Sequence, residues 1–434
     1  VVKRRIVFVA AAASVLVLAA CSAIIGTRDL TLESGSDGGP GTPDASGLNK
    51  NDANGISGDD DSGAVDGAQA GDAGTVDGGC GGANLQTDAK NCGTCGHDCG
   101  GGACSAGVCQ AWTIVAGQFG GAEIAVDATH LYWTSVGNTQ VLRAALDGTG
   151  LTALVTDPNI YPEAIALDDT NVYWVDDSET GSVQTCPKTG CGDAGARLVT
   201  SATLDDPTGL TVDGKNVYWA ETETGGIGRA SKLDGGAYTY VVTNLDNGWA
   251  VVDDDASVYF SSSDLVGSIG KTGIGAPTAD GDAGPFKTIF NAANPIFSVA
   301  LDQTNIYWAQ DNDPGVVQFC PKTGLGGAGV PMTLAGTEHD PWEVAVDDAN
   351  VYWTAQGPNS TPTGNDGYPT FTDGYVAMCP KLGCPSTGPV MLATGLHNPR
   401  GITVDATAVY FTIFGNTSDQ NPNPVEGSVM KVMK

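Results

Sequence analysis

The chain has 434 residues, 50 of them acidic and only 19 basic, giving a formal charge of -31 at pH 7. That charge excludes non-specific nucleic-acid binding, because phosphates would be repelled rather than neutralised. The 62 glycines argue against an enzyme-like α/β body, and twelve clustered cysteines point to an oxidising compartment.

Lys3-Arg4-Arg5 is a short basic segment, and residues 6–20 form an unbroken apolar or small run. Such a run is too short to span a bilayer comfortably, so 1–20 reads as a cleaved signal peptide. It ends in Leu18-Ala19-Ala20-Cys21, which resembles the lipobox of bacterial lipoproteins. The resemblance implies a lipid on the Cys21 thiol and a membrane partner held through acyl chains. With Ser22 next instead of Asp, it also implies the outer membrane or cell surface of a Gram-negative-type bacterium.

Residues 21–79 carry the lipidated N-terminus and then a stretch of mostly Gly, Asp, Ala and Ser, with no aromatic from Ser34 to Gly79. Too little apolar surface is available there to offset the entropy of ordering, so a flexible acidic tether is expected. Asp59-Asp60-Asp61 lacks EF-hand spacing and reads as a solvated linker. No cofactor is expected; calcium is the one ion that the acidic residues leave open.

Cys80, Cys92, Cys95, Cys99, Cys104 and Cys109 fall within the small module 80–109. Many glycines and few apolar residues leave it without a core, so covalent staples must hold it. Cys92, Cys95 and His97 have the look of a zinc half-site, but in an exported chain three disulfides are the expectation, with fifteen pairings open. The run Asn91-Cys92-Gly93-Thr94-Cys95-Gly96-His97-Asp98-Cys99, followed by Cys104 and Gly107-Val108-Cys109, resembles the cysteine-rich repeat of stigma-specific plant proteins. That likeness carries no catalytic implication, and a rigid spacer is expected.

From 110 to 434 one tripeptide recurs seven times. It appears as Leu131-Tyr132-Trp133, Val172-Tyr173-Trp174, Val217-Tyr218-Trp219, Val258-Tyr259-Phe260, Ile306-Tyr307-Trp308, Val351-Tyr352-Trp353 and Val409-Tyr410-Phe411. Each copy follows a repeated aspartate: Asp127, Asp168, Asp213, Asp253, Asp302, Asp347 and Asp405. Most steps are of 41 to 48 residues, the period of a four-stranded propeller blade. The second unit reads as strands at 164–167, 172–175, 182–186 and 197–200, separated by turn residues. The last unit stops after its third strand, while a spare fourth-strand pattern, Trp112-Thr113-Ile114-Val115-Ala116-Gly117, precedes the first. The chain is therefore expected to be all-β, a seven-bladed β-propeller closed by an N-terminal strand that completes the last blade.

The tripeptide resembles the Tyr-Trp-Thr-Asp propellers of the low-density-lipoprotein receptor family and, more loosely, the streptogramin-lyase-like propellers. The Thr-Asp half is replaced here, for instance by Val175-Asp176 and Ala220-Glu221.

Within the ring, Cys186-Cys191 and Cys379-Cys384 are expected as short disulfides across Pro/Gly turns, leaving Cys320 without a partner. The repeated aspartates are expected to cap turns by accepting backbone amides. Function in propellers gathers where loops meet the axis, which is fold-level analogy. The connections into each blade contribute Glu163, Trp249, Phe297, Trp342 and Arg400, and the long connection 357–374 adds Tyr368 and Phe371. Aromatics beside charged residues suit a protein, peptide or glycan partner. His339 and His397 hold matching places before Pro341 and Pro399, the candidates for a metal-assisted hydrolase or lyase site. The reading is a lipid-anchored, non-catalytic binding scaffold, with that enzyme and a structural envelope component as alternatives.

Overall fold

A computed structural model describes residues 80–192, 195–200, 203–223, 225–233, 236–245, 247–262, 267–273, 286–325, 330–358, 360–362, 369–415 and 427–434. The expectations for the signal peptide, Cys21, the tether and Tyr368 lie outside the described residues. Everything described belongs to one unit, Gly71–Lys434.

Seven four-stranded antiparallel sheets follow one another along the chain. Blade 1 is built from Gly121–Val126, His130–Ser135, Gln140–Ala145 and Thr152–Thr156, here called strands a to d from the axis outward. Strands a of blades 2 to 7 are Pro162–Leu167, Pro207–Val212, Gly248–Asp253, Ser298–Leu301, Pro341–Val346 and Pro399–Val404. In blade 7, strand d is Trp112–Ala116, paired antiparallel with Ser428–Met433, with Val115 opposite Val429. The ring is therefore closed by the N-terminal strand, as its sequence requires.

The recurrent tripeptide builds the seams between blades. Successive side chains of a strand point to opposite faces, so each Tyr and the residue after it enter different interfaces. Tyr132 packs in one cluster with Trp174 of the next blade, Tyr173 with Trp219, Tyr218 with Phe260 and Tyr259 with Trp308. Tyr307 then meets Trp353, Tyr352 meets Phe411, and Tyr410 meets Trp133 to complete the circle.

The repeated aspartate holds the other end of the same device. Asp127 accepts the amides of Thr129 and His130 on one oxygen and the Tyr132 hydroxyl on the other, at 3.1 Å. The same Tyr–Asp bond recurs in all seven blades. In blade 4 the capping residue is Asp254, not Asp253 as the pattern suggested. The turn has the same length as in the other blades, with the cap five residues before the tyrosine. Asp253 takes the last place of strand a, where Val126 stands in blade 1, and its carboxylate accepts the Thr211 hydroxyl at 2.7 Å. Five seams add a lysine from the following blade: Lys188–Asp127, Lys232–Asp168, Lys322–Asp254, Lys381–Asp302 and Lys434–Asp347, at 2.6–3.1 Å. Among the described residues Asp213 and Asp405 have no such lysine.

Of the fifteen possible pairings the cysteine module adopts Cys80–Cys95, Cys92–Cys104 and Cys99–Cys109. It packs on the closing blade: Met433 joins the Cys92, Cys99 and Cys109 cluster. A Cβ on Gly102 would meet the Trp112 ring at 2.7 Å, so only glycine allows this approach. The expected spacer is thus held against the strand that shuts the ring. Cys186–Cys191 and Cys379–Cys384 are also bonded, and Cys320 is free and buried. Burial pushes its thiol up to about 11, which leaves it protonated and unreactive near neutrality.

Candidate functional site

The inner strands carry the chemistry because six of the seven begin with a β-bulge, blade 5 being the exception. In blade 1 the register shifts between Gly121 and Ile124, in blade 2 between Pro162 and Ile165, and blades 3, 4, 6 and 7 repeat the shift. Two residues of strand a then face one of strand b, which re-aims side chains at the axis. Hydroxyls on strand b bind neighbouring blades at this level. Thr354 accepts the Glu343 amide and donates to the Arg400 carbonyl, and Thr412 does the same for Gly401 and Ala122.

The first bulge position, or in blade 5 its unbulged counterpart just before strand a, lies five residues before the capping aspartate. It holds Ala122, Glu163, Thr208, Trp249, Phe297, Trp342 and Arg400 around the ring. Five of these are the rim residues expected from sequence, and four of the five stand inside strands a, not in the loops where they were sought. Trp249 meets Phe297 edge-on at 4.9 Å, and Phe297 stacks on Trp342 at 4.8 Å. The Arg400 guanidinium lies 4.1 Å from the Trp342 ring centre and 5.1 Å from that of Phe414. A continuous aromatic arc over three blades thus ends on a cation, close enough to Glu163 and Asp311 to feel their charge. Phe371 is elsewhere, at the foot of a small hairpin, Ser360–Pro362 with Pro369–Phe371, and has no ring contact with the arc among the described residues.

The second bulge position was missed. It holds Glu123 in blade 1 and Glu343 in blade 6, each four residues before its aspartate, and that shared place in two repeats was the available signal. Glu123 accepts the Ile165 amide of blade 2 at 3.3 Å, and Glu343 accepts the Ile402 amide of blade 7. Both keep some surface open to the channel but are ringed by protein. Burial, opposed in part by the Ile165 amide, pushes Glu123 up to about 7. Burial and the Glu123 charge raise Glu343 well above its ordinary range. Asp311, beside Asp340, is also pushed up to about 7 by burial.

His339 and His397 go separate ways. The His339 Nδ1 lies 2.6 Å from an Asp313 carboxylate oxygen. His397 lines a cleft of about 340 Å³ between blades 6 and 7 with Thr113, Leu396, Ile413 and Met430, and its buried Nδ1 has no partner. Among the described residues the one group of three potential ligands close enough for a metal is Cys92, Cys99 and Cys109, all in disulfides.

These shifts fix the pH dependence of stability. A carboxyl held above its unfolded value near 4.3 favours the folded state progressively as pH falls from about 7. The capping aspartates act in the opposite sense. Burial alone would raise Asp347, but Lys434 and the Asn350 and Ala349 amides outweigh it and hold it down to about 2. Their contribution is present above about pH 4 and lost as pH falls through the folded value. The melting temperature should therefore be highest near pH 5 and lower at both pH 8 and pH 2. Glu123→Gln with Glu343→Gln should flatten the branch between pH 5 and 8; an unaltered branch would contradict the assignment.

No protein-family model matches the chain. Over 108 residues it is 33% identical to the vitellogenin receptor Yl of Drosophila melanogaster, covering 24% of this chain and 5% of that protein. Over 116 residues it is 32% identical to low-density lipoprotein receptor-related protein 5 of Homo sapiens, covering 26% and 7%. The chain thus spans less than a tenth of these relatives. Among solved structures, virginiamycin B lyase from Staphylococcus aureus superposes with a TM-score of 0.55 at 13% identity, covering 75% of this chain and 98% of that one. A streptogramin B lyase gives 0.54 at 11% identity, covering 74% and 97%. About a quarter of the chain is thus similar in sequence to these receptor proteins, and the lyases share its propeller fold.

Proposed function

We propose that the chain is a lipid-anchored surface protein whose propeller is a non-catalytic binding scaffold. Its partner, a protein, peptide or glycan outside the cell or in the envelope, lies across the axial mouth. The arc Trp249–Phe297–Trp342 with Arg400 on its end carries this reading. Stacked aromatic faces beside a held guanidinium are what interface hot spots are made of, and they occupy a position that varies among the repeats. Two sequence relatives bear the names of receptors, which supports binding over catalysis. Cys21 would hold the anchor, the 21–79 tether would give reach, and the cysteine module would stiffen the approach to the ring.

The test is capture of partners by crosslinking with the purified full-length chain. Trp249→Ala with Trp342→Ala should abolish specific capture while lowering the melting temperature by only a few degrees. Undiminished capture by a folded double variant would sink the assignment.

A further inference from the structure

The mouth contains more negative charge than the protein itself answers. Glu123 and Glu343 occupy the same bulge position in blades 1 and 6, and only Gly401 of blade 7 stands between them. A Cβ at 401 would come within 2.5 Å of the Ala122 carbonyl and 2.9 Å of the Glu123 Cα, so no side chain can fill that place. Each glutamate feels the other across the gap or accepts a neighbouring amide, and neither lies within 4.0 Å of a described Lys, Arg or His nitrogen. Among the described residues the nearby cation is Arg400, which lies over Trp342 and Phe414, donates its Nε–H to Asn398 at 3.3 Å, and divides its charge among Glu163, Asp311 and Glu343.

Resting on the proposed binding at the mouth, we propose that Glu123 and Glu343 receive a positively charged organic group, an ammonium or guanidinium, carried by the ligand. Two carboxylates enclosed together, with only the Arg400 charge acting on Glu343, are costly, and a cation placed between them relieves both desolvation and repulsion. Their raised proton affinity expresses the same unmet demand. A bare divalent ion fits less well: among the described residues these carboxylates do not bring three ligand atoms within 4.8 Å of one another. The aromatic arc is a second, independent pointer. Its faces attract cations, and Arg400 over Trp342 already shows one held there at 4.1 Å. A neutral ligand would gain area on the arc and nothing from the glutamates.

Tryptamine and tryptophol share an indole and differ in an ammonium against a hydroxyl, so they separate the two contributions. Titrating each into the full-length protein at pH 8, followed by calorimetry, should show tryptamine binding at least tenfold more tightly. Glu123→Gln with Glu343→Gln keeps the amide acceptors and should remove that preference while leaving tryptophol binding in place. Equal affinity for the two probes, or a preference that survives the double substitution, overturns the cation site and leaves the mouth standing. Binding of both probes that is indifferent to Trp342→Ala would instead overturn the mouth. Binding of neither overturns both.

Discussion

Deleting residues 110–117 is expected to lower the melting temperature by roughly 10 °C and to make the protein aggregate in a concentration-dependent way. Strand Trp112–Ala116 pairs at four positions with Ser428–Met433 and buries Val115 against the last seam. Losing those hydrogen bonds and that apolar burial costs about 5 kcal/mol, which for a ring of this size is a shift of that order. The exposed strand Ser428–Met433 would also become an open edge, free to pair with another chain. The cysteine module would lose its contact with Trp112 at the same time. An unchanged melt would mean that the ring closes in another way.

Trp353→Ala is expected to cost about 4 kcal/mol, the usual range for emptying a buried tryptophan site. Trp353 is fully buried, and its Nε1–H donates to Glu338 at 2.8 Å, an oxygen that also accepts the Tyr375 hydroxyl at 2.8 Å. The alanine would leave a cavity in the seam with Tyr307 and remove one of the two donors satisfying a buried carboxylate. Trp353→Phe keeps most of the volume and should cost clearly less. Denaturant unfolding of both variants checks this; equal and small losses would show that the tripeptide does not carry the seams.

Much of the ring could be read from sequence because its fold repeats a small number of physical demands. Every seam needs a Tyr from one blade and a large aromatic from the next, and every a–b turn needs a carboxylate. Those residues therefore recur in step, and counting strands even located the closing one. In blade 4 an aspartate also fills the last place of strand a, so Val252-Asp253 imitates the repeated pair, while Asp254, five residues before Tyr259 as in every blade, provides the cap. The candidate site was less legible. Trp249, Phe297, Trp342 and Arg400 were picked as loop residues, yet bulges in the inner strands present all but Phe297. A bulge leaves little trace in apolar patterning, and so Glu123 and Glu343, charges inside otherwise apolar strands, went unnoticed. His339 and His397 show the opposite failure. Matching places in sequence did not give them a common target, since one turns to Asp313 and the other into the cleft between blades.

What recurs builds the ring, and what differs between copies at the axis is held to bind the partner. A photo-crosslinking side chain placed at position 342, compared with one at position 189 on the turn face that bears the lysine–aspartate pairs, tests this most directly. The account predicts a discrete, saturable adduct from 342 and none from 189. Adducts from 189 alone, or equally from both, would contradict it.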